Sequence, residues 1–219
     1  MSNISTTSQE LLARAYALAS DKETKELYHD WASTYDETMI NALDYLTPIK
    51  TANLLASALG KNKSALILDV GSGTGLAGQN LAELNYISLD AIDYSSAMLD
   101  VARARENDGK KVYKNCIKAD LNKTLKIKTH AYEAIICTGL FTHAHVGAGC
   151  LPELFRILKP HGYFATTVHK DIWYSEGFDE QVKNLERAGK IKTVAKVLDI
   201  FFETDKDPQG YYILWECLN

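Results

Sequence analysis

The chain has 219 residues, 46% hydrophobic and 24% charged, the make-up of an ordinary folded domain with a sizeable core. Its formal charge is −4, and residues 1–60 carry all of it, with four Lys+Arg against eight Asp+Glu; this balance argues against a protein held to nucleic acid mainly by phosphate contacts. No apolar run approaches the ~20 residues of a membrane span, the start MSNISTTSQELL lacks a secretory pattern, and four cysteines without CxxC or metal spacing read as reduced thiols, so a cytosolic protein with no metal site and no membrane attachment is expected.

Residues 7–19 and 22–46 are rich in Leu, Ala, Tyr, Lys and Glu and read as helices, with Ser20 and Asp21 at the break. Pro48 suits the first turn of a further helix through Leu59, and Gly60 stops it. From there the period changes. Apolar runs at Ser64–Val70, Tyr86–Ile92, Val112–Lys118, Ala134–Cys137 and Gly162–His169 read as buried parallel strands. Helical stretches end near Leu84, span Ser95–Arg105, and lie near Leu151–Leu158 and Asp171–Ala188. The last two runs, Lys192–Phe202 and Gly210–Leu218, are too close for a crossover helix and predict an antiparallel hairpin. The expected fold is α/β: a three-layer doubly wound Rossmann-like sheet over residues 61–219, mostly parallel with an antiparallel C-terminal hairpin strand, behind a helical cap or lid in residues 1–60.

The strongest signal is Leu68-Asp69-Val70-Gly71-Ser72-Gly73-Thr74-Gly75-Leu76-Ala77-Gly78, a GxGxGxxG loop where the first strand meets a helix, with Asp69 two positions ahead of it. Such glycines let the backbone turn sharply and let a ligand approach closely. No GKS or GKT follows, which excludes a phosphate-binding P-loop. Asp93 ends the next strand 22 residues after Gly71, the spacing at which a carboxylate meets ribose hydroxyls. Asp120, in Lys118-Ala119-Asp120-Leu121, ends the third.

Together these segments resemble the class I S-adenosylmethionine-dependent methyltransferases: LDVGSGTG, AIDYSSAMLDVA, KADL and LKPHGYF match successive motifs over residues 26–218. His161 departs from the pattern, which has glycine there. Tyr28-His29-Asp30-Trp31-Ala32-Ser33-Thr34-Tyr35-Asp36 is similar to the YxxWAxxYD segment of small-molecule methyltransferases. Thr138-Gly139-Leu140-Phe141-Thr142-His143-Ala144-His145-Val146 is similar to the methyltransferase-like group of the Williams–Beuren region.

The resemblance implies S-adenosylmethionine as cofactor, released as S-adenosylhomocysteine. Gly71, Ser72, Gly73 and Gly75 would pass its methionine part and Asp69 would organise the amino group. Asp93 would accept from the ribose hydroxyls, Tyr94 and Met98 would pack near the adenine, and Asp120, flanked by Ala119 and Leu121, would receive the adenine amino group. Thr138 and Tyr28 complete the set, and Tyr35 would cover the methyl group. His143 is the first choice for a base, because imidazole titrates near neutrality, with His145 and His169 behind it. The expected acceptor is a small molecule. A nucleic-acid methyltransferase, using the lysines between Lys110 and Lys128, is a rival, as are a protein methyltransferase and a non-catalytic S-adenosylmethionine-binding regulator. The acceptor atom and the oligomeric state stay open.

Overall fold

The computed structural model describes residues 30–142, 146–204 and 206–219, together with Glu10, Glu23, Leu27 and Tyr28. A π-helical turn, Glu37–Ala42, precedes α1 (Thr47–Leu59). The alternating part runs β1 (Ile67–Val70), α2 (Leu76–Glu83), β2 (Leu89–Asp93) and α3 (Ser96–Ala104). A small hairpin of β3 (Glu106–Asn107) and β4 (Lys110–Lys111) leads to β5 (Asn115–Lys118) and the long β6 (Tyr132–Phe141). Then follow α4 (Leu151–Ile157), β7 (Leu158–His169), α5 (Lys170–Ser175), α6 (Phe178–Arg187), β8 (Ile191–Asp199) and β9 (Gly210–Cys217).

Seven strands form one sheet in the order β5-β2-β1-β6-β7-β9-β8. Pairing is parallel from β5 to β7, and β9 runs antiparallel to both its neighbours, the C-terminal hairpin that the short last connection demands. The order reverses beside β1, so the carboxyl ends of β1, β2 and β6 open onto one crevice, where open α/β sheets bind ligands.

β1 is buried along its whole length because both faces are covered. Ile67 faces one layer, with Ala52 and Leu55 of α1, Leu81 of α2 and Leu99 and Ala102 of α3. Leu68 and Val70 face the other, with Leu151 and Leu154 of α4, Ile172 of α5 and Phe178, Val182 and Leu185 of α6. Two-residue periodicity therefore turns Asp69, also buried, toward the α1–α3 layer.

A third cluster joins Leu27, Trp31, Met39 and Leu43 to Phe201, Phe202 and Tyr212. The backbone reinforces it: Leu46 N donates to Phe201 O at 2.8 Å, Glu203 N donates to Asp44 O at 3.0 Å, and Tyr45 bridges Phe202. The front segment is thus packed on the connection between β8 and β9.

Several expectations change in detail, and the strand read over Ala134–Cys137 runs from Tyr132 to Phe141. The helix read over 22–46 is interrupted by a turn at Ala32–Thr34 and becomes π-helical at Glu37; there the Thr38 hydroxyl and amide both donate to Thr34 O, the local polar bonding that competes with a regular helix. The helix read over 171–188 divides at Gly177, whose φ of 72° ends α5 and starts α6. The strand read from Val112 begins only at Asn115, because Asp108-Gly109, both at positive φ, turn the preceding chain into the β3–β4 hairpin. Of the helix read over 7–19, only Glu10 lies within the described residues, and it is helical.

Candidate active site

The glycine loop is built on the end of β1 by hydrogen bonds to its neighbour strand. Gly71 N and Ser72 N both donate to Ile92 O, at 2.9 and 3.2 Å, and Gly75 N closes the turn onto Ser72 O at 2.8 Å. Gly73 sits at a φ of 54°, where a side chain would be strained, and its amide donates to Asp93 Oδ2 at 2.9 Å. Ser95 N donates to Asp93 Oδ1 at 2.8 Å, so backbone amides fix both carboxylate oxygens while each keeps a lone pair for a further donor. Burial raises the Asp93 carboxyl above its ordinary range in spite of these bonds.

The structure places the remaining sequence-predicted residues as follows, from the ends of the neighbouring strands outward. Ala119 N donates to Asp93 O at 3.0 Å, which brings the β5 end against the β2 end. Asp120 is held by its own loop: Asn122 N donates to Oδ1 at 3.0 Å, Lys123 lies 3.1 Å from Oδ2, and the Asn122 bond leads in keeping its carboxyl below the usual range. Leu121 is buried and Tyr94 half-buried, and Met98 is buried in the first turn of α3, whose Ser95 hydroxyl accepts from Met98 N. Thr138 lies on β6, the other neighbour of β1, beside Gly139, whose amide donates to Thr167 Oγ1 at 3.1 Å. Tyr28, Trp31 and Tyr35 form one aromatic group despite the helix break, with ring centroids 6.1 Å (Tyr28–Trp31), 6.4 Å (Tyr28–Tyr35) and 4.9 Å (Trp31–Tyr35) apart. His169 is buried at the end of β7, where its Nδ1 accepts from Asp171 N at 3.4 Å. His143 and His145 lie outside the described residues.

Four residues at this end of the sheet carried no assigned part. Asp36 was visible only as the end of the front motif; its Oδ1 accepts from the Thr74 hydroxyl at 2.5 Å and its Oδ2 from the Arg105 guanidinium. Arg105 Nε also donates to Thr74 O at 2.8 Å. Tyr113 lies behind the glycine loop, bonded to Asp69. The Tyr45 hydroxyl lies against Gly139 at a spot where a Cβ would stand 2.5 Å away. None follows a spacing rule; the one signal was Gly78, a glycine inside α2.

Comparison with known proteins points the same way. Residues 68–166 match the family described as a methyltransferase domain. The matches support a class I S-adenosylmethionine-dependent methyltransferase. Methyltransferase-like protein 27 of Homo sapiens is 28% identical over 180 residues, 80% of this chain and 71% of that protein. Two solved structures share the fold. A SAM-dependent methyltransferase from Aquifex aeolicus has a TM-score of 0.61 at 20% identity, covering 87% of this chain and 98% of that one. A methyltransferase in complex with the Haloferax volcanii Trm112 methyltransferase activator has a TM-score of 0.62 at 16% identity, covering 87% and 96%.

The cofactor of the methyltransferase is S-adenosylmethionine, and the residues present fit it. Two buried polar atoms at the loop, Asp69 Oδ1 and Ser72 Oγ, lack a hydrogen-bond partner within the protein. A buried acceptor of this kind is costly unless a ligand completes it. Among the described residues no His, Cys, Asp and Glu cluster of three or more is arranged for a metal ion, and no helix is long and apolar enough to cross a membrane.

Proposed function

We propose that this methyltransferase transfers the methyl group to a small-molecule acceptor inside a pocket closed by its front segment, the cap read in residues 1–60. The observation that carries the reading is the seating of Asp36 on Thr74 of the glycine loop while Trp31 and Tyr35 pack on Phe201 and Phe202, which sets the front segment beside the proposed cofactor loop. The lysine-rich segment speaks against nucleic acid. Lys111 pairs with Glu106, Lys123 with Asp120, and Lys114 and Lys118 bond Ser88 and Ser96, so four of its lysines are engaged within the chain. Four free thiols suit a reducing, cytosolic compartment.

When bound, S-adenosylmethionine supplies a methyl group on a sulfonium that a nucleophile displaces directly. In this reading Asp69 holds the ammonium group, the amides of Gly71, Ser72, Gly73 and Gly75 line the methionine part, and Asp93 takes the ribose hydroxyls. Tyr94, Met98, Ala119, Asp120 and Leu121 frame the adenine, with Thr138 and Tyr28 closing the cofactor's remaining sides. The rings of Tyr28 and Tyr35 turn their negative faces to positive charge, an attraction that grows as water leaves. Alignment of nucleophile and methyl group is the main source of rate, worth several kcal/mol. A hydroxyl or ammonium acceptor gives up its proton to an imidazole nitrogen of His143, which follows β6 in the chain.

Calorimetric titration with S-adenosylmethionine, S-adenosylhomocysteine and NAD tests the cofactor site: the sulfur ligands bind, NAD does not, and Asp93→Ala weakens binding about tenfold or more. Methyl transfer from radiolabelled cofactor is then followed onto panels of phenols, amines, thiols and carboxylates, and onto RNA and protein. Label on a small molecule supports the reading; label on RNA or protein alone overturns it, and cofactor binding without transfer to any class favours a regulator.

A further inference from the structure

The segment entering β5 carries Tyr113 onto the back of the glycine loop. Its hydroxyl donates to Asp69 Oδ2 at 2.5 Å in a buried contact. Its ring fills the space in which two side chains would begin: a Cβ on Gly75 would stand 2.7 Å from Tyr113 Cε2, and a Cβ on Gly78 2.1 Å from its hydroxyl oxygen. Gly78 lies inside α2, where glycine weakens a helix and no turn calls for it, so room for Tyr113 is what this glycine provides. The other carboxylate oxygen, Asp69 Oδ1, makes no hydrogen bond.

We infer that Tyr113 is a positioning residue for the cofactor: it holds one oxygen of Asp69 from behind the loop, so that the other is presented to the ammonium group. The inference rests on the assignment of Asp69 to that group. A phenol donating to a carboxylate stabilises the ionised form, and only the ionised form pairs with an ammonium. The groups around Asp69 are Tyr113 ahead of β5, Arg105 after α3, the Gly78 amide in α2 and Asp93 at the end of β2. Burial pushes the Asp69 carboxyl up to about 7 and Asp93 adds to the rise, while Tyr113, the Gly78 amide and Arg105 pull it down. Ionisation near neutral pH therefore depends on the Tyr113 bond.

Calorimetric titration of the full chain with S-adenosylhomocysteine, from about pH 6 to about pH 8.5, compares the natural protein with Tyr113→Phe. In both, affinity rises with pH as Asp69 ionises; in the variant the midpoint moves up by about one pH unit, so binding is about tenfold weaker near pH 6, about fivefold weaker near pH 7, and the gap closes toward pH 8.5. Equal affinities throughout, or a loss of the same size at every pH, would overturn the inference, the second outcome marking a merely structural contact. The same comparison within Asp69→Asn gives a second reading, since Tyr113→Phe then has no carboxylate to act on and leaves affinity unchanged. A further loss in that background would count against the inference. Failure of the natural protein to bind at any pH would instead sink the assignment of the site itself.

Discussion

The Thr74 hydroxyl donates to Asp36 Oδ1 at 2.5 Å, joining the glycine loop to the front segment across 38 residues of sequence. The Arg105 guanidinium meets the other oxygen of Asp36, and its Nε meets Thr74 O, so the three residues close a ring of hydrogen bonds. The front segment and the glycine loop are therefore coupled by charge-assisted bonds in a largely covered position, not by apolar packing alone. Asp36→Ala leaves the Thr74 hydroxyl and Arg105 without their acceptor. The expected cost is about 2 kcal/mol, or about 4–8 °C in melting temperature for a chain of this size, together with weaker cofactor binding. Asp36→Asn keeps an acceptor for Thr74 and loses about half as much. Scanning calorimetry with and without S-adenosylhomocysteine measures both; equal melting temperatures for the three proteins would show that the ring contributes nothing.

Asp69 makes stability and binding pull in opposite directions. Its carboxyl is raised from 3.8 to about 7, with burial the leading cause. The folded chain therefore holds a proton that the unfolded chain has released across that interval, and stability falls as pH rises from about 4 to about 7. Asp69→Asn removes the titration. Below about pH 4 the variant matches the natural protein in stability, whereas at pH 8 it is more stable by up to about 4 kcal/mol. Its affinity for S-adenosylhomocysteine drops over the same range. Denaturant unfolding at several pH values settles the point, and a gain that does not depend on pH would contradict the ionisation argument.

Three strand ends around the crevice were legible because each is marked locally by an apolar run followed by Gly71, Asp93 or Asp120, whereas the strand read to Cys137 continues through Thr138 to Phe141. Parallel pairing followed from the alternation of strands and helices, and the hairpin before Cys217 from the lack of room for a helix. Arg105 and Tyr113 were not legible. Their contacts with Asp36 and Asp69 span 69 and 44 residues, and the β3–β4 hairpin that delivers them is marked only by Asp108-Gly109. Tyr28 and Tyr35 lie seven residues apart, a spacing that puts both on one face only if the helix is continuous. The helix breaks at Ala32–Thr34, yet the rings still meet, because Trp31 between them is buried on Phe201 and Phe202.

That burial makes Trp31 the keystone of the front cluster. It is 2% exposed, and its indole Nε1 has no hydrogen-bond partner, so the ring is held by packing. Trp31→Ala opens a cavity among Leu27, Met39 and Tyr212 and is expected to cost about 3–5 kcal/mol. Trp31→Phe keeps most of the apolar volume and removes the unpaired N–H, at less than half that cost. Chemical denaturation of the two variants gives the ratio. A Phe variant as unstable as the Ala variant would mean that the indole nitrogen is satisfied in solution and that packing is not what holds the ring.

His161 occupies the turn where the motif it resembles has glycine, and the backbone shows the consequence. Its φ is 62°, in the left-handed region that a side chain with a Cβ resists. Something in the turn must hold it there. Its ring is exposed and its Nδ1 lies 3.2 Å from Glu216 Oε1, an ion pair that exists only when the imidazole is protonated. Exposed pairs of this type contribute little, at most about 1 kcal/mol, and the left-handed conformation costs about 1–2 kcal/mol. His161→Gly removes both, and the backbone cost is the larger, so the variant is expected to be more stable by about 0.5–1 kcal/mol. Paired melting curves test this, and a less stable variant would show that the Glu216 contact outweighs the strain.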